Sequence, residues 1–194
     1  MTPVARGLLI ACVAVFLLQQ VAVTPLEVRY ALWPIDSGYF HFWQPLSYGF
    51  LHGGFQHLFF NMFALYMFAP DIERLTGPKR FLVYYLVCVV SAALMQLAVL
   101  HLMGGPPVPT VGASGGVFGV LLAFGLAFPH RKLMLIFPPI PMPAWLFVTL
   151  YGLLELVLGI TTPGSGVAHF AHLGGMIGGF ALILYWRNER RGPR

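Results

Sequence analysis

The chain reads as long apolar runs separated by short polar or proline-rich stretches. Six runs are candidates to cross a bilayer, at roughly 7–23, 55–70, 80–103, 113–128, 143–160 and 168–186. A span needs about 20 apolar residues, and fewer where a helix stops short of one surface. The pattern predicts an all-α membrane protein forming one domain over 1–194, with no soluble domain and no long-period repeat. The first run, with Arg6 ahead of it, has the outline of a signal peptide. Val21-Ala22-Val23-Thr24-Pro25 is a poor cleavage site, so the run reads as a retained span.

The breaks between runs are unequal. Residues 24–54 hold Tyr30, Trp33, Tyr39, Phe40, Phe42, Trp43 and Tyr48, a density of aromatics that suggests a segment at the lipid headgroup level. The stretches "MGGPPVPTVG" at 103–112 and "FPPIPMP" at 137–143 carry too many prolines for sustained helix.

Composition strengthens the membrane reading. Only 9% of residues are charged, against about 25% in a soluble domain. Cys12 and Cys88 fall inside apolar runs and read as small buried hydrophobes. The net charge of +5 could point to nucleic acid, but its placement points to topology. With both termini in the cytoplasm, ten of the 11 Lys and Arg residues lie inside: Arg6, Arg74, Lys79, Arg80, Arg131, Lys132, Arg187, Arg190, Arg191 and Arg194. Only Arg29 lies outside, as the positive-inside rule requires, so no nucleic-acid partner is needed.

Strongly polar side chains within spans are costly, at roughly 2.5–3.5 kcal/mol for charged ones on insertion scales. Here they cluster at one depth, near the outer ends of three spans. His57 and Asn61 stand four apart on one helical face, Ser114 opens the fourth span, and His169 and His172 stand three apart at the start of the sixth. The fourth span is short, so Ser114 is expected at a helix N-terminus below the outer surface, in a wet pocket. A helix N-terminus favours negative charge, which suits an acyl-transfer serine and its oxyanion. The competing reading of "VGASGGVFG" at 111–119 is helix packing or capping alone. Gly112 and Gly116, Gly115 and Gly119, Gly174 and Gly178, and Gly175 and Gly179 are each four apart. Such small-residue faces would let the fourth and sixth helices meet and bring Ser114 to His172.

Three motifs on their respective spans, "GASGGVFG" at 112–119, His57-x-x-x-Asn61, and "AHLGGMIGG" at 171–179, resemble the rhomboid family of intramembrane serine proteases. The resemblance implies a six-helix rhomboid-like bundle, a short central helix carrying the nucleophile and a membrane-embedded first loop. It implies a Ser–His dyad without a carboxylate: Ser114 as nucleophile and His172 as general base. His57 and Asn61 would help hold the oxyanion with the Ser114 N–H, and Gly112 would shape the loop beside it. Trp43-Gln44 stands where several relatives have Trp-Arg, which touches the loop's polar anchoring. Phe118 stands where some relatives have Tyr, which keeps a stacking ring without its hydroxyl.

The other polar residues read as follows. His169 is expected to line the cavity or support the base, with acting as the base itself as the alternative, and His52 is expected to be structural. Glu155 reads as neutral, hydrogen-bonded or facing the cavity, with a third catalytic member as the alternative. Gln96 reads as interhelical glue, and Asp71, Glu73, Arg74, Lys79 and Arg80 as a solvated turn. No metal site is expected, because His169 and His172 lack neighbouring carboxylates or thiolates in the sequence and no His-Glu-x-x-His occurs. No cofactor is expected.

The expected function is cleavage of transmembrane segments of other membrane proteins in a prokaryotic inner membrane. The alternatives are a catalytically inactive rhomboid-like protein that binds client helices, and a small transporter. A transporter should show repeat symmetry and paired broken helices.

Overall fold

The computed structural model describes residues 1–104, 108–134, 139–162 and 168–189. Outside these lie Gly105–Pro107 of the first proline-rich stretch, Phe137 and Pro138 of the second, and Arg190, Arg191 and Arg194 of the cytoplasmic charge. Six helices longer than ten residues occur among the described residues: α1 (Pro3–Tyr30), α3 (Phe55–Thr76), α4 (Pro78–Met103), α5 (Ser114–Ala127), α6 (Ala144–Thr161) and α7 (His169–Glu189). A single turn, α2 (Gln44–Ser47), lies in the first loop. Strands β1 (Lys132–Met134) and β2 (Pro141–Pro143) pair antiparallel, with Leu133 opposite Met142. Three helical segments, Pro3–Ala22, Pro78–Met103 and Ala144–Thr161, are long and apolar enough to cross a membrane, and Ser114–Ala127 is a shorter apolar helix.

Several boundaries differ from the sequence reading. Helix α1 does not stop at 23. It kinks at Ala22 (φ −144°, ψ 44°) and continues past Pro25 to Tyr30. Residues 24–30 therefore belong to a helix, not to the loop. Helix α3 runs on through Pro70 to Thr76, so the expected solvated turn at Asp71–Arg74 is helical. Glu73 is buried there, and its carboxylate accepts N–H bonds from Val4 (3.0 Å) and Ala5 (2.8 Å). The reason is geometric: the start of α1 packs on the end of α3 and presents its unpaired N–H groups to the nearest carboxylate. The reversal follows at Gly77, whose φ of +83° favours glycine, and Pro78 opens α4.

Helix α5 is the best-covered element. It packs against α3, α4, α6 and α7, and ten of its 14 residues are buried. At 14 residues it is about 21 Å long. The sequence assigns all the small-residue faces to contact between the fourth and sixth spans, and the structure divides them. Gly175 does face α5, where a methyl on it would stand 2.0 Å from the Gly115 carbonyl oxygen, but methyls on Gly115 and Gly119 would first meet Ala92 and Cys88 of α4, each at 2.3 Å. Gly116 takes the Tyr85 ring of α4, and Gly174 and Gly178 take Ser91 and Met95 of α4. Helix α4 thus takes most of the stripe, including Gly179 against Tyr84. It adds hydrogen bonds from Tyr84 to the Gly119 carbonyl (2.7 Å) and from Ser91 to the Gly174 carbonyl (2.9 Å). Such side-chain bonds to backbone are the glue that helices use where apolar burial does not distinguish protein from lipid.

Gln96, expected as glue, has no hydrogen-bond partner among the described residues. Gln19 and Gln44 take that part. Gln19 forms a reciprocal pair with the His52 backbone, donating to its carbonyl (3.2 Å) and accepting from its N–H (3.0 Å). Gln44 is fully buried in the first loop, where it accepts from the Trp33 N–H (3.2 Å) and donates to the Tyr39 carbonyl (2.9 Å). The loop is therefore anchored by an amide at Gln44.

Candidate active site

The site is built where the first loop meets the start of α5. Leu32 and Thr110 exchange backbone hydrogen bonds (2.9 and 2.8 Å), which tie the loop to the segment entering α5. Gly112 then donates its N–H to the Tyr48 carbonyl (3.0 Å) with φ +133°, a conformation L side chains rarely adopt. Its open side faces His57 and Ser114. A methyl there would stand 2.6 Å from His57 Cε1 and 3.6 Å from Ser114 Oγ.

Ser114 is the first residue of α5, one place after the Ala113 N-cap, and makes no capping bond. This departs from the simple capping reading. The first bond of the helix runs from the Val117 N–H to the Ala113 carbonyl (3.0 Å), so the preceding N–H groups of Ser114, Gly115 and Gly116 have no intrahelical acceptor. The Ser114 hydroxyl lies 2.8 Å from His172 Nε2, across 58 residues of sequence. The close approach of Gly175 to Gly115 one turn further along α7 sets that distance.

The His172 ring is held on three sides. Phe118, one turn along α5 from Ser114, stacks on it with centroids 4.3 Å apart and planes 6° apart. Tyr151 of α6 stacks on the other side of Phe118 (5.3 Å, 16°). At the remaining nitrogen, His172 Nδ1 lies 2.7 Å from Glu155 Oε2, and His169 Nδ1 lies 2.7 Å from the same oxygen. Glu155, His169 and His172 are all buried. The sequence reading left the two histidines without a carboxylate neighbour, and that is corrected: Glu155 supplies one from α6. These three side chains form the group among the described residues that could ligate a metal. Their O···N separations of 2.7 Å are hydrogen-bond lengths, shorter than the about 3.3 Å between neighbouring ligands of tetrahedral zinc.

On the opposite side of Ser114, His57 Nδ1 accepts from the Gly53 N–H (3.4 Å). A neutral His57 then carries its proton on Nε2, the nitrogen nearest the open side of Gly112. Asn61 donates one N–H back to the His57 carbonyl (3.0 Å), and its second N–H has no acceptor among the described residues. His52 sits behind His57, its ring edge-on at 5.2 Å. Burial, and secondarily the His57 ring, push its pKa down to about 4, so it is neutral at ordinary pH.

Ser114 thus meets His172, and Gly112 lies between Ser114 and the His57 ring, while Asn61 is tied to the group through the His57 carbonyl. Glu155 is the neighbour whose contacts the sequence did not reveal. Its one signal was a carboxylate inside an apolar run.

The Rhomboid domain model matches residues 39–189. Over 141 residues the chain is 33% identical to Rhomboid protein 1, mitochondrial, of Saccharomyces cerevisiae, covering 70% of this chain and 38% of that protein. It is 31% identical over 139 residues to Rhomboid protease GluP of Bacillus subtilis, covering 71% of this chain and 25% of that one. A match to Rhomboid protease GlpG of Serratia proteamaculans, at 28% identity over 195 residues, covers 97% of this chain and 64% of that one. The chain therefore spans between a quarter and two thirds of the length of these relatives.

Proposed function

The chain belongs to the rhomboid family of membrane proteins, and from that premise we propose that it is an intramembrane serine endopeptidase. The observation that carries the proposal is the 2.8 Å approach of His172 Nε2 to the hydroxyl of Ser114 at the start of an apolar helix. In this reading 1–194 forms one rhomboid-like membrane domain of six spans, with both termini in the cytoplasm of a prokaryotic cell.

Ser114 Oγ attacks the scissile carbonyl carbon while its proton passes to His172 Nε2. The carbonyl oxygen becomes an oxyanion, facing the Ser114 N–H, His57 Nε2–H and the second N–H of Asn61. His172 then gives its proton to the leaving amine as the C–N bond breaks. A water attacks the acyl-enzyme, with His172 again taking and returning the proton. No cofactor enters any step.

The substrates are single-span membrane proteins. A helix hides its carbonyls in hydrogen bonds, so a substrate span must unwind before it is cut. Spans with helix-weakening residues and small side chains at the cut site are preferred.

The test is covalent labelling by a fluorophosphonate, which traps an activated serine, on folded protein in detergent. Wild type should label. Ser114→Ala should not, and His172→Ala should label at least about 10³-fold more slowly. Labelling of Ser114→Ala equal to wild type, or no labelling of folded wild type, overturns the protease reading in favour of a client-binding protein.

A further inference from the structure

We propose that Glu155 is a positioning residue for the His172 base, so that the reaction runs through a Ser114–His172–Glu155 chain with His169 as the second anchor of the carboxylate. The inference rests on the protease reading above. It replaces the dyad without a carboxylate by a three-part arrangement whose third part comes from α6.

The argument begins with hydrogen-bond roles. An ionised carboxylate only accepts, so a neutral imidazole meeting Glu155 Oε2 at 2.7 Å through Nδ1 must carry its proton on Nδ1. That leaves a lone pair on Nε2, the nitrogen 2.8 Å from Ser114 Oγ. This is the tautomer a general base needs. When the Ser114 proton moves to Nε2, the imidazolium forms with its other N–H already on a carboxylate, the role such a group plays in hydrolytic triads. Glu155 is the one hydrogen-bond partner of His172 Nδ1 among the described residues.

His169 makes the carboxylate's position definite. Its Nδ1 reaches the same oxygen at 2.7 Å, with its ring nearly perpendicular (88°) to that of His172. Two donors approaching from different directions leave Oε2 little freedom to swing. The rest of the surroundings do not explain a carboxylate. No Lys or Arg among the described residues forms an ion pair with Glu155, whose ion-pair partners are the two histidines. A buried carboxylate is costly in an apolar bundle. A tie between α6 and α7 needs only an amide or hydroxyl. A carboxylate adds something further, because its charge stabilises an imidazolium as it forms.

The experiment compares wild type, Glu155→Gln, Glu155→Asp and Ser114→Ala in proteoliposomes, measuring kcat and KM on a fluorogenic peptide containing a transmembrane segment. Thermal unfolding is followed in parallel. A Gln amide can donate to Nδ1 and so favour the wrong His172 tautomer. Glu155→Gln should therefore lower kcat about 10²- to 10⁴-fold with KM within about threefold, and Glu155→Asp should recover part of the loss. If Glu155→Gln keeps kcat within about threefold of wild type while Ser114→Ala is inert, the inference falls and the protease reading stands. If wild type and Ser114→Ala are equally inert, the protease reading falls and takes the inference with it.

A second measurement needs no variant to fold. In wild-type protein labelled with ¹⁵N-histidine, the nitrogen shifts of neutral His172 should report a protonated Nδ1 and a bare Nε2. A protonated Nε2 overturns the proposal.

Discussion

Two glutamates are buried in this bundle, at 2% and 6% exposure for Glu73 and Glu155, and they are held by different kinds of donor. Glu73 lies where the end of α3 meets the start of α1, and its oxygens take the backbone N–H groups of Val4 and Ala5. Thr2, at the N-cap position of α1, makes no side-chain capping bond, so a carboxylate from another helix satisfies those orphan N–H groups. Backbone donors do not titrate at any working pH. Glu155 is held by two imidazoles, each able to take up or release a proton, and one of them touches a hydroxyl. The same side chain is a rivet in one place and, in the proposed reaction, the anchor of a proton-carrying imidazole in the other. What separates them is the chemistry of the donor, since burial is similar.

Substitutions at the two ends should therefore separate activity from stability. The largest expected effect lies at the Ser114 end. His57→Ala or Asn61→Ala should each lower kcat about 10²- to 10³-fold with little change in the unfolding midpoint. Steady-state kinetics beside thermal melting checks this, and a variant that loses stability in proportion to activity would break the distinction between the two ends. Next comes Glu73→Gln, which removes a charged acceptor from the buried Ala5 N–H and the part-buried Val4 N–H. It should cost about 1.5–3 kcal/mol of stability and leave kcat per folded molecule unchanged. Denaturant unfolding with active-site titration reads both quantities, and a lower kcat at constant folded fraction would show the rivet coupled to the site.

The smallest effect is expected at Phe118→Leu. The ring stacks face to face on His172, and an aromatic pair contributes about 0.5–1.5 kcal/mol beyond its buried area. Losing it should reduce kcat by about two- to tenfold. No change in kcat would mean that Glu155 and the helix contact alone hold the imidazole.

Some of this was legible along the chain. Ser114, His172, His57, Asn61 and Gly112 each sit within a short motif, because the geometry each needs is local: a helix start, a helical spacing of four, a glycine-only turn. Phe118 was legible for the same reason, being one helical turn from Ser114. Gln44 was legible only as a departure from a pattern. Its two anchoring bonds, to Trp33 and Tyr39, depend on how the loop folds back on itself. Glu73 was misread because it stands in a run of charges that resembles a solvated turn. Its partners are backbone groups 68 and 69 residues away, and backbone groups leave no mark in a sequence.

The sequence by itself determined the apolar runs, the helical character and the family, along with the residue types at the start of α5 and α7. These follow from local spacing, hydropathy and motif. The tertiary structure alone decided which helix each glycine would meet and which face of α6 would turn inward. Glu155 stands 14 and 17 residues from the histidines it joins, on a different helix. An apolar helix without a polar stripe carries little record of its own rotation. Only the close packing of α7 on α5 and α4, and of α6 on α7, turns that carboxylate toward His172.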